Sequence, residues 1–233
     1  MLRLLLVLAA VAAVAAAFAG RPAAQGGCPP RPPDTARLIT HPRWLSRALV
    51  TEYFPVRETW FSGRPVRANG IAGRHPADWL YGPHGVAMNG EGLGRNGRYY
   101  HFAGPYDVGW VDAAGRRTSG CWTGDWSAGR PAWVAEPSRV RFRVGPPSFS
   151  FWKTVAVDRK LVPYGSRVFI PAYCDTPAHG WFRALDTGGA IVGDHFDVYR
   201  APPPALVLRS FRDQRVYVVP PGFRARAACP ARG

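Results

Sequence analysis

Glycine and proline recur so often along this chain, 26 and 24 times, that long helices are ruled out over most of its length. Proline removes a helix donor, and glycine frees the backbone that a helix must hold. With 47% hydrophobic and 13% aromatic residues the chain still has ample material for a core. The combination predicts many short strands joined by turns. Turn pairs recur at Ser62-Gly63, Asn69-Gly70, Asn89-Gly90 and Asn96-Gly97.

Strand signals sharpen toward the C-terminus. RVRFRV (139–144) alternates polar and apolar residues, the period of a half-buried strand. TVAVD (154–158), RVFIPAY (167–173), WFRALD (181–186), FDVY (196–199) and RVYVV (215–219) follow, and ALVTEYF (48–54) is an early strand. These strands predict an all-β barrel.

The first residues carry an address. Arg3 is the only charge before Arg21, and an apolar run from Leu4 to Ala19 lies between them. Ala17-Phe18-Ala19 sets small residues at a signal-peptidase site, so residues 1–19 are expected to be a cleaved secretory signal. The run is short for a membrane span, and no span is expected after cleavage. The expected location is extracytoplasmic, in a cell wall or periplasm, with the mature chain a monomer. Residues 20–47 are expected to form a Pro/Gly-rich leader.

Four cysteines, Cys28, Cys121, Cys174 and Cys229, suit disulfides in an exported chain, and no two have metal-pair spacing. Three pairings are possible. Cys28–Cys229 with Cys121–Cys174 is favoured because it ties the two tails. No metal or cofactor is implied. The net charge of +15 comes almost wholly from scattered arginine, and export removes nucleic acid as a partner. Gly92-Leu93-Gly94-Arg95-Asn96-Gly97 matches GxGxxG, but no βαβ unit surrounds it, so it is read as a turn.

Asp158, Asp186 and Asp197 fall at strand ends or in the loops beyond them, where a β scaffold holds side chains rigidly at a cleft. Thr187-Gly188-Gly189 lets the backbone turn beside Asp186. Phe196 and Val198 flank Asp197, and apolar flanks raise a carboxyl pKa as a general acid at neutral pH requires. Thr187, Gly188, Gly189, Trp152, Trp181, His195 and Tyr199 are candidate substrate contacts. Glu91 is a candidate second carboxylate, against the plainer reading of a solvated loop acid.

AVDRKLVPYGSRVFIP (156–171) followed by GWFRALDTGGAIVGDHFDVY (180–199) closely resembles the 3D domain, named for three aspartates. That domain is the double-psi β-barrel portion of lytic transglycosylases of the MltA type. The resemblance implies a six-stranded double-psi barrel over 146–223. The first strand and a loop-rich, Trp/Gly-rich insertion would occupy 48–145, with a tail over 224–233. It implies peptidoglycan glycan strands as substrate and Asp197 as the single catalytic acid/base. Asp158 and Asp186 would shape the site. VAMNGEGLGRNGRYYHF (86–102) resembles the glycine-rich segment of that family's second domain, for which only about 60–145 is available here. The shortened second wall keeps a second function open, a non-catalytic wall-binding or wall-loosening module like the expansins, which share the barrel.

Overall fold

The computed structural model describes residues 37–118 and 132–230. The expected signal and most of the expected leader lie outside these residues, as do Cys28 and Cys121. Strand β1 (Arg43–Tyr53) opens the chain. Next come β2 (Val56–Arg57), β3 (Pro65–Val66), β4 (His75–Pro76), β5 (Glu91–Leu93), β6 (Tyr99–Phe102), β7 (Trp110–Val111), β8 (Arg117–Thr118), β9 (Trp133–Val134) and β10 (Phe142–Gly145). The C-terminal strands are β11 (Thr154–Val157), β12 (Arg167–Phe169), β13 (Trp181–Asp186), β14 (His195–Tyr199) and β15 (Ser210–Val219).

Six of these close into a barrel in the order β1-β14-β11-β13-β12-β15. β1 and β14 run parallel, as do β11 and β13, and the other neighbours are antiparallel. The all-β barrel expected from the strand pattern is therefore present, with β1 beginning at Arg43. Alternation explains why these sequences close. On β1, Leu45, Ala48 and Val50 point inward, and Val155, Val157, Val168, Phe182, Ala184, Phe196, Val198, Val216 and Val218 meet them in one core. Each fully buried Val or Phe contributes about 1.5–3 kcal/mol.

The residues between β1 and β11 build a second unit. β10-β6-β5-β2 form its main sheet, beside the small sheets β3-β4 and β8-β7-β9. Its core gathers Trp79, Val86, Tyr100, Val140 and Phe142. Its helices α1 (Ala77–Tyr81) and α2 (Val86–Asn89) are short, as the glycine content predicts. α2 stops at Gly90, whose φ of 81° is the left-handed conformation that glycine adopts without strain. Gly92 serves packing: a Cβ there would lie 2.5 Å from Val86 Cγ2 and 2.8 Å from Trp79 Cζ2. Among the described residues no helix is long and apolar enough to cross a membrane.

The favoured disulfide pairing is overturned. Cys174 bonds Cys229, with a Cα–Cα distance of 5.6 Å. A short helical turn at Pro171–Tyr173 delivers Cys174 to the barrel wall. The C-terminal segment lies across Phe169, Trp181 and Tyr217 and brings Cys229 to meet it.

Candidate active site

The site is built on one row of outward-facing residues across four adjacent strands. Register pairs Asp186 with Ala156, Ala156 with Asp197, and Asp197 with Thr51. Asp186 and Asp197 therefore flank the small Ala156, with Cα atoms two strand spacings apart, roughly 10 Å. Strict alternation would place Asp186 with the buried Phe182 and Ala184. A register shift between Val155 and Ala156 sets Asp186 opposite Ala156 and leaves Leu185 as the extra residue. This irregularity turns the carboxylate out of the core, as bulges beside functional sites do.

Asp197 is partly buried, and its Oδ1 lies 2.6 Å from Thr51 Oγ1. Burial raises its pKa to about 7, helped by the charges of Asp186 and Glu52 and opposed by the Thr51 hydrogen bond. Asp186 accepts the Tyr53 hydroxyl at 2.5 Å on Oδ2 and the Thr187 N–H at 2.8 Å on Oδ1. Burial pushes its pKa up, while these two donors pull it down. Burial beside Asp186 also raises the Tyr53 pKa, so the phenol keeps its proton and donates.

Two of the three aspartates thus come together, and the third does different work. Asp158 is buried, and its Oδ1 and Oδ2 accept the Lys160 N–H at 2.9 Å and the Gly193 N–H at 2.8 Å. It ties the turn after β11 to the loop between β13 and β14, which positions that loop beside the site.

The other candidates are spread. His195 lies two residues before Asp197 on the same face of β14, Nε2 2.8 Å from Thr51 Oγ1 and Nδ1 3.2 Å from Ala190 O, and burial lowers its pKa. Tyr199 lies beside Tyr53, with ring centroids 5.0 Å apart, and its hydroxyl donates to Glu91 Oε2. Glu91 is buried on β5 and accepts the Ser148 N–H at 2.9 Å. It is no solvated loop acid: it fastens the second unit to the barrel next to Tyr53 and Asp186. Thr187, Gly188 and Gly189 are exposed beyond Asp186. Trp181 starts β13, five residues and about 17 Å of strand from Asp186, and stacks under Arg167. Trp152 packs on the barrel core near Tyr173.

Sequence reading overlooked Thr51 and Tyr53. Their signal was alternation in TEYF: two polar side chains on the face opposite Val50 and Glu52.

A closed six-stranded barrel with a carboxyl pair on its outer wall is the class that fold and site define. Within it, residues 153–202 match the family model of the 3D domain, and this stretch of the chain is a 3D domain. No curated protein matches the sequence. Among solved structures, a membrane-bound lytic murein transglycosylase from Agrobacterium tumefaciens is similar at 16% identity and a TM-score of 0.39, covering 74% of each chain. Escherichia coli MltA with bound chitohexaose is similar at 14% identity and 0.41, over 79% of this chain and 73% of that one. The lytic transglycosylase LtgG of Burkholderia pseudomallei is similar at 14% and 0.34, over 76% and 73%.

Proposed function

We propose that this protein is an exported, monomeric enzyme of the lytic-transglycosylase type, which cleaves the bond between N-acetylmuramic acid and N-acetylglucosamine in peptidoglycan outside the cytoplasm. The observation that carries the reading is a carboxyl group with a pKa of about 7, Asp197, on an outer barrel wall two strands from Asp186. A general acid works best when its pKa lies near the working pH. Asp186 is already engaged by Tyr53 and Thr187, which leaves Asp197 to exchange protons with substrate.

In this reading Asp197 gives its proton to the glycosidic oxygen as the bond from C1 to that oxygen breaks. Positive charge builds on the sugar ring, close to two acidic side chains. The Asp197 carboxylate then takes the proton of the C6 hydroxyl, whose oxygen closes on C1 as a 1,6-anhydro ring. The carboxyl ends protonated again, and no water is consumed. Hydrolases that invert or retain configuration use two carboxylates in distinct roles instead.

The test is a digest of purified cell walls by wild type and Asp197→Asn. Wild type is expected to release anhydro-muropeptides, with activity falling as pH rises above about 7, because the starting acid is then lost. The variant should lose at least about a hundredfold in rate while still binding walls. Reducing ends in place of anhydro ends would make the protein a hydrolase. Wall binding without any product would favour the expansin-like module.

A further inference from the structure

The Thr51 hydroxyl faces two neighbours and carries one hydrogen. Asp197 Oδ1 lies 2.6 Å from Thr51 Oγ1 on one side, and His195 Nε2 lies 2.8 Å from it on the other. Beyond the imidazole, Nδ1 lies 3.2 Å from Ala190 O. A carbonyl oxygen only accepts, so Nδ1 must carry a hydrogen to make that bond. Register explains the grouping: Thr51 pairs with Asp197 and Leu49 with His195 on the parallel strands β1 and β14, so all three polar side chains share one face.

With three hydrogens shared among the side chains, two proton arrangements satisfy every contact. In one, protonated Asp197 donates from Oδ1 to Thr51 Oγ1, Thr51 donates to Nε2 of a neutral imidazole, and Nδ1–H donates to Ala190. In the other, Asp197 is ionised, Thr51 donates to it, and an imidazolium donates from both nitrogens. Both hold the same number of protons. Moving one hydrogen from Oδ1 to Oγ1 and another from Oγ1 to Nε2 converts the first into the second. The neutral Nε2–H tautomer fails, because it turns the Nδ1 lone pair against the Ala190 carbonyl.

We infer that Asp197, Thr51 and His195 form one proton-sharing unit, in which His195 is a positioning residue acting on Asp197 through the Thr51 hydroxyl. The groups around the unit choose its resting form. Asp186 and Glu52 place negative charge near Asp197, with Tyr53 and Tyr173 close by, and Arg200 is occupied by Glu52. Burial disfavours an imidazolium at His195. The neutral arrangement is the resting one, and its acid proton points toward Thr51. A sugar oxygen that takes this proton competes with His195 for it, so the histidine sets how readily Asp197 acts as an acid. That consequence rests on the proposed acid/base role of Asp197; the proton sharing itself does not.

The test follows His195 by nitrogen NMR on the full-length protein without substrate. Wild type at pH 7–8 is expected to show the neutral Nδ1–H tautomer. The Nε2 resonance should also pass through an inflection near pH 7 as Asp197 titrates, and Asp197→Asn should abolish it. Thr51→Val should reduce that inflection to less than about a third of its size, and Thr51→Ser, which keeps the hydroxyl, should restore it. A neutral Nε2–H tautomer in wild type overturns the inference, as does an Nε2 resonance without that inflection. In the wall digest, His195→Gln keeps a donor toward Thr51 but accepts no proton. It should pull the alkaline limb of activity down by about one pH unit. An inactive protein with intact NMR coupling sinks the proposed enzyme and spares the unit; an active one without coupling does the reverse.

Discussion

The two faces of β1 each hold an acid system, and they are equipped in opposite ways. On the core side, Glu52 is buried with Arg200, Nε to Oε2 at 2.6 Å, and accepts the Tyr173 hydroxyl at 3.1 Å. Arg200 also lies over the Phe54 ring. On the outer side, Thr51 meets Asp197, and no arginine or lysine among the described residues pairs with that carboxyl. Glu52 is given a counter-charge and becomes a fixed strut. Asp197 is given a hydroxyl and two acidic neighbours, and its proton becomes exchangeable near neutral pH. On the two faces of β1, the partner supplied to an acid decides whether it is held as a fixed charge or titrates near neutral pH.

The comparison breaks most forcefully at Arg200. Arg200→Met leaves Glu52 buried without its cation and is expected to lower stability by about 3–5 kcal/mol in chemical denaturation. Adding Glu52→Gln should recover part of that loss, because a pair removed together leaves no unmatched charge. A single variant as stable as wild type would show that Glu52 needs no cation, and the contrast with Asp197 would collapse.

Asp197 gives the next largest effect, with the opposite sign. Its folded pKa of about 7 lies above the usual 3.8. Its contribution is therefore fully present below about pH 4 and is lost as pH rises through about 7. Asp197→Asn cannot ionise, so it should match wild type near pH 4 and exceed it by about 2–4 kcal/mol at pH 8. Parallel pH profiles for the two proteins would mean that Asp197 is ordinary in its titration.

Much of this was legible in the sequence where the information was local. WFRALD marks β13 to the residue, and the apolar flanks of Asp197 announce a desolvated acid. What was not legible depends on distant pairings. Thr51 meets Asp197 across 146 residues, and only the parallel register of β1 and β14 makes them neighbours. The bulge that turns Asp186 outward depends on β11, and alternation within WFRALD points that residue the other way. Asp158 carries the same motif signal as the other two aspartates, yet its oxygens face the Lys160 and Gly193 amides. Four cysteines allow three pairings, and only the path of the C-terminal segment over Trp181 selects Cys174–Cys229.

Tyr53 supplies the smallest effect and the finest distinction, because it separates Asp186 from Asp197 within one row. Its hydroxyl donates to Asp186 Oδ2 and pulls that carboxyl's pKa down against burial. Tyr53→Phe removes one donor from a charged acceptor and should cost about 1–2 kcal/mol at pH 8. The cost belongs to the ionised form, since a protonated Asp186 needs the donor less. It should therefore shrink as pH falls and Asp186 takes up a proton. Denaturation at pH 8 and pH 4 reads the difference. A loss equal at both would assign Tyr53 to packing against Tyr199 alone, and Asp186 would then owe its poise to burial and the Thr187 N–H.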